Sequence, residues 1–380
     1  MSTYPRICLI YTGGTIGMIR ERRGREYVLR PPEDPSEFLR YLKAEDEIRE
    51  IAEPDCVELL NKDSTNLAPA DWTKMAQAIY QRLDRGYQGF VIAHGTDTMH
   101  FSASALAFVF GDRLNLPIVF TGAQTIPAIA HGDARVNLLR AVKVACEDLA
   151  EVVVAFGESI FRGCRVQKKD ARRLDAFESP AESPIGSITE EILLETGRVR
   201  TRRDRSEPLE FRPGFSEGVV QLSLIPGLEP DVLLPVLHSE RCKGVILQSF
   251  GAGNVPNAGS YSFTGFIREA VNLDKPVVIT SQLPATSTLA SPYAPGREAL
   301  EAGAIPTGDM TNAAAAVKLR WVLHQVQAAI DSGSLAPARK LARVREMMDK
   351  VYVGEASCGG NILALYGFRT GRRGRQSVAP

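Results

Sequence analysis

Short apolar runs alternate with amphipathic stretches through the first half of the chain. Arg6–Thr12, Gly89–His94, Pro117–Thr121 and Val152–Phe156 are rich in Val, Ile and Phe, as strands buried on both faces of a parallel sheet should be. Between them lie helical patterns. Over Asp71–Arg85 the apolar set Trp72, Met75, Ile79 and Leu83 recurs at helical spacing, and Gly86 follows as a stop. Asp133 is placed to cap a second helix, in which Val136, Leu139, Val142, Cys146 and Leu149 form one stripe. This strand–helix alternation predicts a doubly wound, mainly parallel sheet.

The pattern dissolves near Thr196–Pro208, where arginines crowd without interleaved aromatics. That composition reads as a solvated interdomain linker, not as a nucleic-acid site. Alternation then resumes, with strands at Gly244–Ser249 and Pro276–Thr280 and a long Thr-capped helix at Thr311–Ser332. The predicted architecture is α/β. A larger N-terminal domain (1–195) is followed by a linker (196–215), a smaller C-terminal α/β domain (216–366) and a basic tail (367–380) expected to be disordered.

Composition narrows the class. The 380 residues are 44% hydrophobic and 24% charged, and Lys+Arg and Asp+Glu both total 45. That balance gives no overall pull toward nucleic acid or an anionic membrane. The six cysteines (Cys8, Cys56, Cys146, Cys164, Cys242 and Cys358) are scattered singly, which fits free thiols in a reducing compartment better than a disulfide framework. No segment approaches the roughly 18–20 apolar residues of a membrane span, and Met1–Arg6 carries no apolar leader. A cytoplasmic protein is expected. The five histidines show no ligand spacing and no G-x-S-x-G elbow is present, so neither a metal site, a cofactor nor a Ser–His hydrolase is called for.

Three segments carry candidate chemistry, and the first two directly follow predicted strands, where ligands of open parallel sheets bind. In Thr12-Gly13-Gly14-Thr15-Ile16-Gly17 the glycine pair lets backbone approach a ligand, and Thr15 offers a hydroxyl. The segment lacks the Lys of a phosphate-binding P-loop and the third glycine of a dinucleotide fingerprint; a plain turn is the alternative. His94-Gly95-Thr96-Asp97-Thr98 sets a hydroxyl beside a carboxylate, though Asp97 could equally cap the helix predicted from Phe101. Lys168 lies in a polar run and would ordinarily be a surface lysine. Only pairing with a buried hydroxyl would make it a base.

Together these segments resemble the two signatures of the bacterial-type asparaginase/glutaminase superfamily, and the chain is similar to its cytoplasmic type I branch. The resemblance runs from about Arg6 to near Ser332. It includes Asp63-Ser64, Thr121-Gly122-Ala123-Gln124, Gly163–Pro180, Gly251-Ala252-Gly253-Asn254 and Asp309-Met310-Thr311. It implies the asparaginase fold and hydrolysis of L-asparagine to L-aspartate and ammonia, with a homodimer or homotetramer as the assembly. By this resemblance Thr15 is the nucleophile, helped by Tyr27 from a mobile loop at Arg20–Tyr27. Lys168 holds Thr96 ready to activate water, and Asp97 meets the substrate α-ammonium. Ser64, with Thr65 beside it, binds the α-carboxylate. The backbone N–H groups of Thr96 and Ala123 form the oxyanion hole, and Asn254 reaches into a neighbouring subunit's site.

Some positions depart from the family. Asn66 stands where many members carry Asp, and His100-Phe101 follow the second signature where small or acidic residues are common. The effector site of cooperative type I enzymes, as the resemblance aligns it, is occupied here by Gln167, Gln248 and Leu283. Two rival readings compete. One is the asparaginase-like subunit of the archaeal glutamyl-tRNA amidotransferase, which carries an additional N-terminal domain. The other is an amino-acid sensor without turnover, which would have no need of two placed hydroxyls and a base.

Overall fold

The computed structural model describes residues 4–24, 26–202, 208–284, 288 and 294–357. The expected tail at 367–380, Cys358 and part of the expected linker lie outside them. Packing divides the chain into two units. One comprises Met1–Val219, Met310–Ala336 and Tyr352–Glu355; the other comprises Val220–Asp309, Pro337–Val351 and Ala356–Pro380.

The first unit is built on an eight-stranded sheet. Glu53–Glu58, Arg6–Tyr11, Gly89–Ala93, Ile118–Thr121 and Val152–Phe156 lie side by side and parallel. Ser159–Arg162, Gly186–Ile188 and Ile192–Leu194 extend the sheet antiparallel. The reversal occurs at Gly157, whose φ of 59° suits the tight turn of a hairpin. On one face Ile7, Leu9, Val91, Val119 and Val153 pack with Phe38, Leu39, Leu42, Leu138 and Val142. Side-chain alternation sends Ile10, Phe90, Ile92 and Phe120 to the opposite face. There the helix Met99–Phe110 lies against the sheet, and the helices Pro69–Tyr80 and Asn312–Asp331 pack on it. Both faces are thus covered, which is why these strands read as unbroken apolar runs.

Two expectations about the helix Ala134–Cys146 are corrected. Val136, placed in the apolar stripe by its spacing, is 41% exposed. The buried face runs instead through Ala134, Asn137, Leu138, Ala141, Val142 and Ala145, because small side chains let this helix sit close to the strands. Asp133 does not cap the helix with its side chain; its carboxylate is used elsewhere. The helix Asn312–Asp331 is capped as its sequence predicts, the Thr311 hydroxyl accepting from the Ala314 N–H at 3.1 Å.

The segment expected to be a loop, Arg20–Tyr27, belongs to a two-stranded antiparallel hairpin of Ile19–Arg23 and Glu26–Arg30. It is held to the helix Pro35–Leu42 by a bidentate Arg30–Glu37 pair and by the Arg20 N–H donating to the Tyr41 hydroxyl at 2.8 Å.

The second unit contains a sheet ordered Val219–Ser223, Gly244–Ser249, Val277–Ser281, Ile305–Pro306. The last three strands are parallel. Val245, Leu247, Val277 and Ile279 pack with Phe263, Phe266 and Ile267 of the helix Phe263–Asn272. Both units are thus α/β, with the larger, mixed sheet in the N-terminal one. Among the described residues no helix is long and apolar enough to cross a membrane.

Candidate active site

The site is assembled from the ends of three parallel strands. The strand Arg6–Tyr11 runs into Thr12, whose N–H and hydroxyl both donate to the Ala93 carbonyl, at 3.0 and 2.9 Å. The strand Gly89–Ala93 continues into His94, whose N–H donates to the Thr121 carbonyl at 2.9 Å. Three loops therefore leave the sheet from one level.

Glycine then lets them touch. Gly14 has a φ of 92°, a conformation that an L side chain rarely adopts, and a Cβ there would overlap the Cα and N of Gly95. A Cβ on Gly95 would in turn lie 2.7 Å from the Cβ and Oγ of Ser64. Backbone contact thus stacks the turns carrying Thr15, Thr96 and Ser64. Thr15 opens a short 3₁₀ turn, Thr15–Gly17, and is half-buried.

Thr96 is 7% exposed. Its hydroxyl accepts from Lys168 Nζ at 2.8 Å and donates to Gln124 Oε1 at 3.0 Å. Lys168 Nζ also donates to Asp97 Oδ1 at 2.7 Å. Lys168, unlike an ordinary surface lysine, keeps only 13% of its side chain exposed, whereas Asp97 is 57% exposed. Asp97 spends its carboxylate on the lysine rather than on the following helix. Thr98 occupies the helix N-cap, but its hydroxyl donates to the Ser64 carbonyl at 2.8 Å.

Lys168 reaches this position from a two-residue strand, Gln167–Lys168, paired antiparallel with Phe177–Glu178. Gln167 points to Glu178, Nε2 to Oε1 at 3.0 Å. Ser64, 3% exposed, begins the turn Ser64–Asn66. The Thr65 hydroxyl is occupied by Asp63 at 2.8 Å. The Thr65 N–H, foremost, and this hydroxyl hold the Asp63 carboxyl below its usual range.

Gln124 and Asp133 are structural partners to which sequence reasoning gave no such role. Gln124 accepts from Thr96 and donates through Nε2 to the Asp170 and Arg173 carbonyls, at 3.1 and 3.3 Å. It bridges the Thr96 loop to the segment after Lys168. Asp133 accepts from the N–H groups of Gln124 and Thr125 and from Asn137 Nδ2, which fixes the loop next to Ala123. The polar residue at a strand end, Gln124, was the available signal. Asp133 gave none, because capping explains an Asp before a helix equally well.

Two histidines border the site. His94 is fully buried, and burial pushes it down to about 4. Its Nδ1 faces the Gly95 carbonyl at 2.6 Å and so carries the proton, which leaves Nε2 to accept from the Ser102 hydroxyl at 2.9 Å. Burial, and then the Lys168 charge, push His100 down to about 4 as well. Both are neutral near pH 7.

Other expected residues stand apart. Tyr27 is 58% exposed on the hairpin, with the Arg20 guanidinium 4.0 Å above its ring; none of its contacts among the described residues is with Thr15. Asn254 belongs to the second unit, where its N–H donates to the Phe250 carbonyl at 2.8 Å and its Oδ1 is buried without a partner. Among the described residues no cluster of His, Cys, Asp or Glu could hold a metal ion, and Cys8, Cys56, Cys146, Cys164 and Cys242 are free thiols.

With two placed hydroxyls, a lysine and a carboxylate at strand ends, the site has the parts of a nucleophilic hydrolase. The profile "Asparaginase, N-terminal" matches residues 6–200, and "Glutaminase/Asparaginase C-terminal domain" matches 218–331. The chain therefore belongs to the asparaginase/glutaminase family. It is 33% identical to an L-asparaginase of Thermococcus kodakarensis, over 92% of this chain and 98% of that protein. The solved structure of the thermostable L-asparaginase from that organism superposes with a TM-score of 0.80 at 31% identity, covering 93% of this chain and 99% of that one. L-asparaginase I of Vibrio cholerae gives 0.77 at 29%, covering 93% and 100%. A glutamyl-tRNA(Gln) amidotransferase subunit of Methanosarcina mazei is 34% identical, over 84% of this chain and 74% of that protein.

Proposed function

We propose that the protein is an L-asparagine amidohydrolase that works through a threonine acyl-enzyme. The observation that carries this reading is the Lys168–Thr96 contact at 2.8 Å, with Asp97 on the same lysine at 2.7 Å, on a loop in backbone contact with the turn of Thr15. Thr15 attacks the side-chain amide carbon of asparagine. Its proton passes to the leaving nitrogen, ammonia departs, and an aspartyl ester remains on Thr15. An unassisted threonine hydroxyl is a weak nucleophile, so a base must help; Tyr27 serves when its hairpin closes over substrate.

Water, activated by Thr96 and Lys168, then attacks the ester. This yields the aspartate carboxylate and restores the Thr15 hydroxyl. The N–H groups of Thr96 and Ala123 stabilise the oxyanion in both steps, usually the largest electrostatic contribution to acyl transfer. Ser64, assisted by the Thr65 turn, receives the α-carboxylate, and Asp97 the α-ammonium. Asn254 completes the site of a neighbouring copy in a homodimer or homotetramer, and the enzyme acts in the cytoplasm. The near full-length correspondence with an L-asparaginase supports this reading.

A second reading, the amidase component of a tRNA-dependent amidotransferase, is favoured by the equal identity to proteins of that name. The purified chain alone, given free asparagine or free glutamine, separates the two. Ammonia released rapidly from asparagine without RNA or a partner protein supports the amidohydrolase; release only with both added supports the second reading.

A further inference from the structure

The C-terminal family profile stops at residue 331, yet four later residues, Tyr352–Glu355, pack within the first unit. Glu355 and Lys318 are both 0% exposed and meet at 2.8 Å. The Glu355 carboxylate also accepts from the N–H groups of Tyr352 and Val353, at 3.0 and 2.9 Å, which folds the tetrapeptide around its own acid. Lys318 Nζ sits 5.4 Å from the Tyr352 ring centre, and that ring stands edge-on to Trp321.

The outer side of this tetrapeptide is seated on the chain just ahead of Lys168. Arg165 Nη1 donates to the Glu355 carbonyl at 3.1 Å, and Cys164 Sγ to the Val353 carbonyl at 3.7 Å. A Cβ on Gly354 would stand 3.1 Å from Arg162 Nη1. Arg162 in turn holds the fully buried Glu151 at 2.8 Å and Glu182 at 2.6 Å. Residues 162–165 are therefore gripped at three points, and Lys168 follows three residues later.

We infer that Glu355 and Arg165 are positioning residues for Lys168: the tetrapeptide Tyr352–Glu355 clamps the backbone at 162–165 and so sets Lys168 Nζ against the Thr96 hydroxyl. The inference rests on the proposed role of Lys168 in deacylation. A buried ion pair is a weak source of stability, because desolvation offsets the attraction, and fixing a geometry is the better-supported use. Here the pair fixes the carbonyl that Arg165 needs. A displacement of about 1 Å at a catalytic group can lower a rate by about a hundredfold.

The test compares wild type, Lys318→Met/Glu355→Gln and Arg165→Lys. Removing both charges together avoids stranding one in the core, and Arg165→Lys leaves the Lys318–Glu355 pair intact if the double variant does not fold. Steady-state kinetics with asparagine, intact mass during turnover, and hydrogen exchange of the 166–178 backbone are measured. Slowed deacylation lowers kcat by about a hundredfold, while KM falls with it and kcat/KM stays within about threefold. Acyl-enzyme accumulates, and exchange at 166–178 quickens. Wild-type kcat and exchange in a folded variant overturn the inference. So does a parallel fall in kcat and kcat/KM, the mark of general damage. A wild type that releases no ammonia contradicts the proposed function instead, and exchange at 166–178 still reports on the clamp.

Discussion

Gly14 is in backbone contact with Gly95, so the turn of Thr15 and the turn of Thr96 are held together with no side chain between them. Gly14→Ala introduces a Cβ both at a φ of 92° and against backbone that cannot swing away. Strain of this kind costs about 1–3 kcal/mol, and the displaced turn costs about a hundredfold or more in kcat. Ammonia release and a thermal melt check this; wild-type turnover in the variant would show that the contact does not assemble the site.

His94 links stability to pH. Burial holds it at about 4, below the ordinary 6.5, so protonation favours the unfolded chain. Its contribution is complete above about pH 6.5 and is lost at about 1.4 kcal/mol per pH unit as the pH falls from there toward 4. Urea unfolding of wild type and His94→Gln at several pH values should therefore converge between pH 6.5 and 4. A gap constant over that window would mean that His94 is not buried neutral.

Much of the scaffold was legible in the sequence, and the failures have identifiable causes. The central strands were visible because both faces are covered, which makes each an apolar run. The strand Glu53–Glu58 was not, since it is polar, contains Pro54 and lies at the sheet edge. The antiparallel strands Gly186–Ile188 and Ile192–Leu194 are too short for any period to show. In the site, Thr15, Ser64, Thr96 and Lys168 follow motifs. The clamp of Gln124 by the Asp170 and Arg173 carbonyls joins residues distant in sequence, and no local pattern encodes it.

Substrate choice follows from fixed distances. With the α-carboxylate at Ser64 and the α-ammonium at Asp97, one additional methylene moves the scissile carbonyl away from Thr15. Glutamine should then be turned over about a hundredfold less efficiently than asparagine. Comparable kcat/KM for the two amides would contradict this assignment of the binding groups.

Homotropic activation should be absent. Gln248 accepts from the Ser223 hydroxyl and Gln167 donates to Glu178, so each side chain already has an internal partner. Neither supplies the charge that an effector carboxylate needs, and a charge-assisted hydrogen bond contributes about 1.5–3 kcal/mol, as much as typical allosteric coupling. Leu283 stands 55% exposed where the family's effector site places a Cys. Initial rates against asparagine concentration should be hyperbolic. A sigmoidal curve that straightens in Gln248→Ala would reveal a surviving effector site.

The division of labour between the two threonines is best read by intact mass. Thr96→Val keeps the nucleophile but loses the hydroxyl that Lys168 holds at 2.8 Å, so acylation proceeds and deacylation stalls. Mixed with asparagine, this variant should gain the mass of an aspartyl ester, mapped by peptide analysis to Thr15. Thr15→Ala should gain none and should release no ammonia while keeping the wild-type melt. An adduct on any other residue, or undiminished turnover in Thr15→Ala, would contradict Thr15 as the nucleophile.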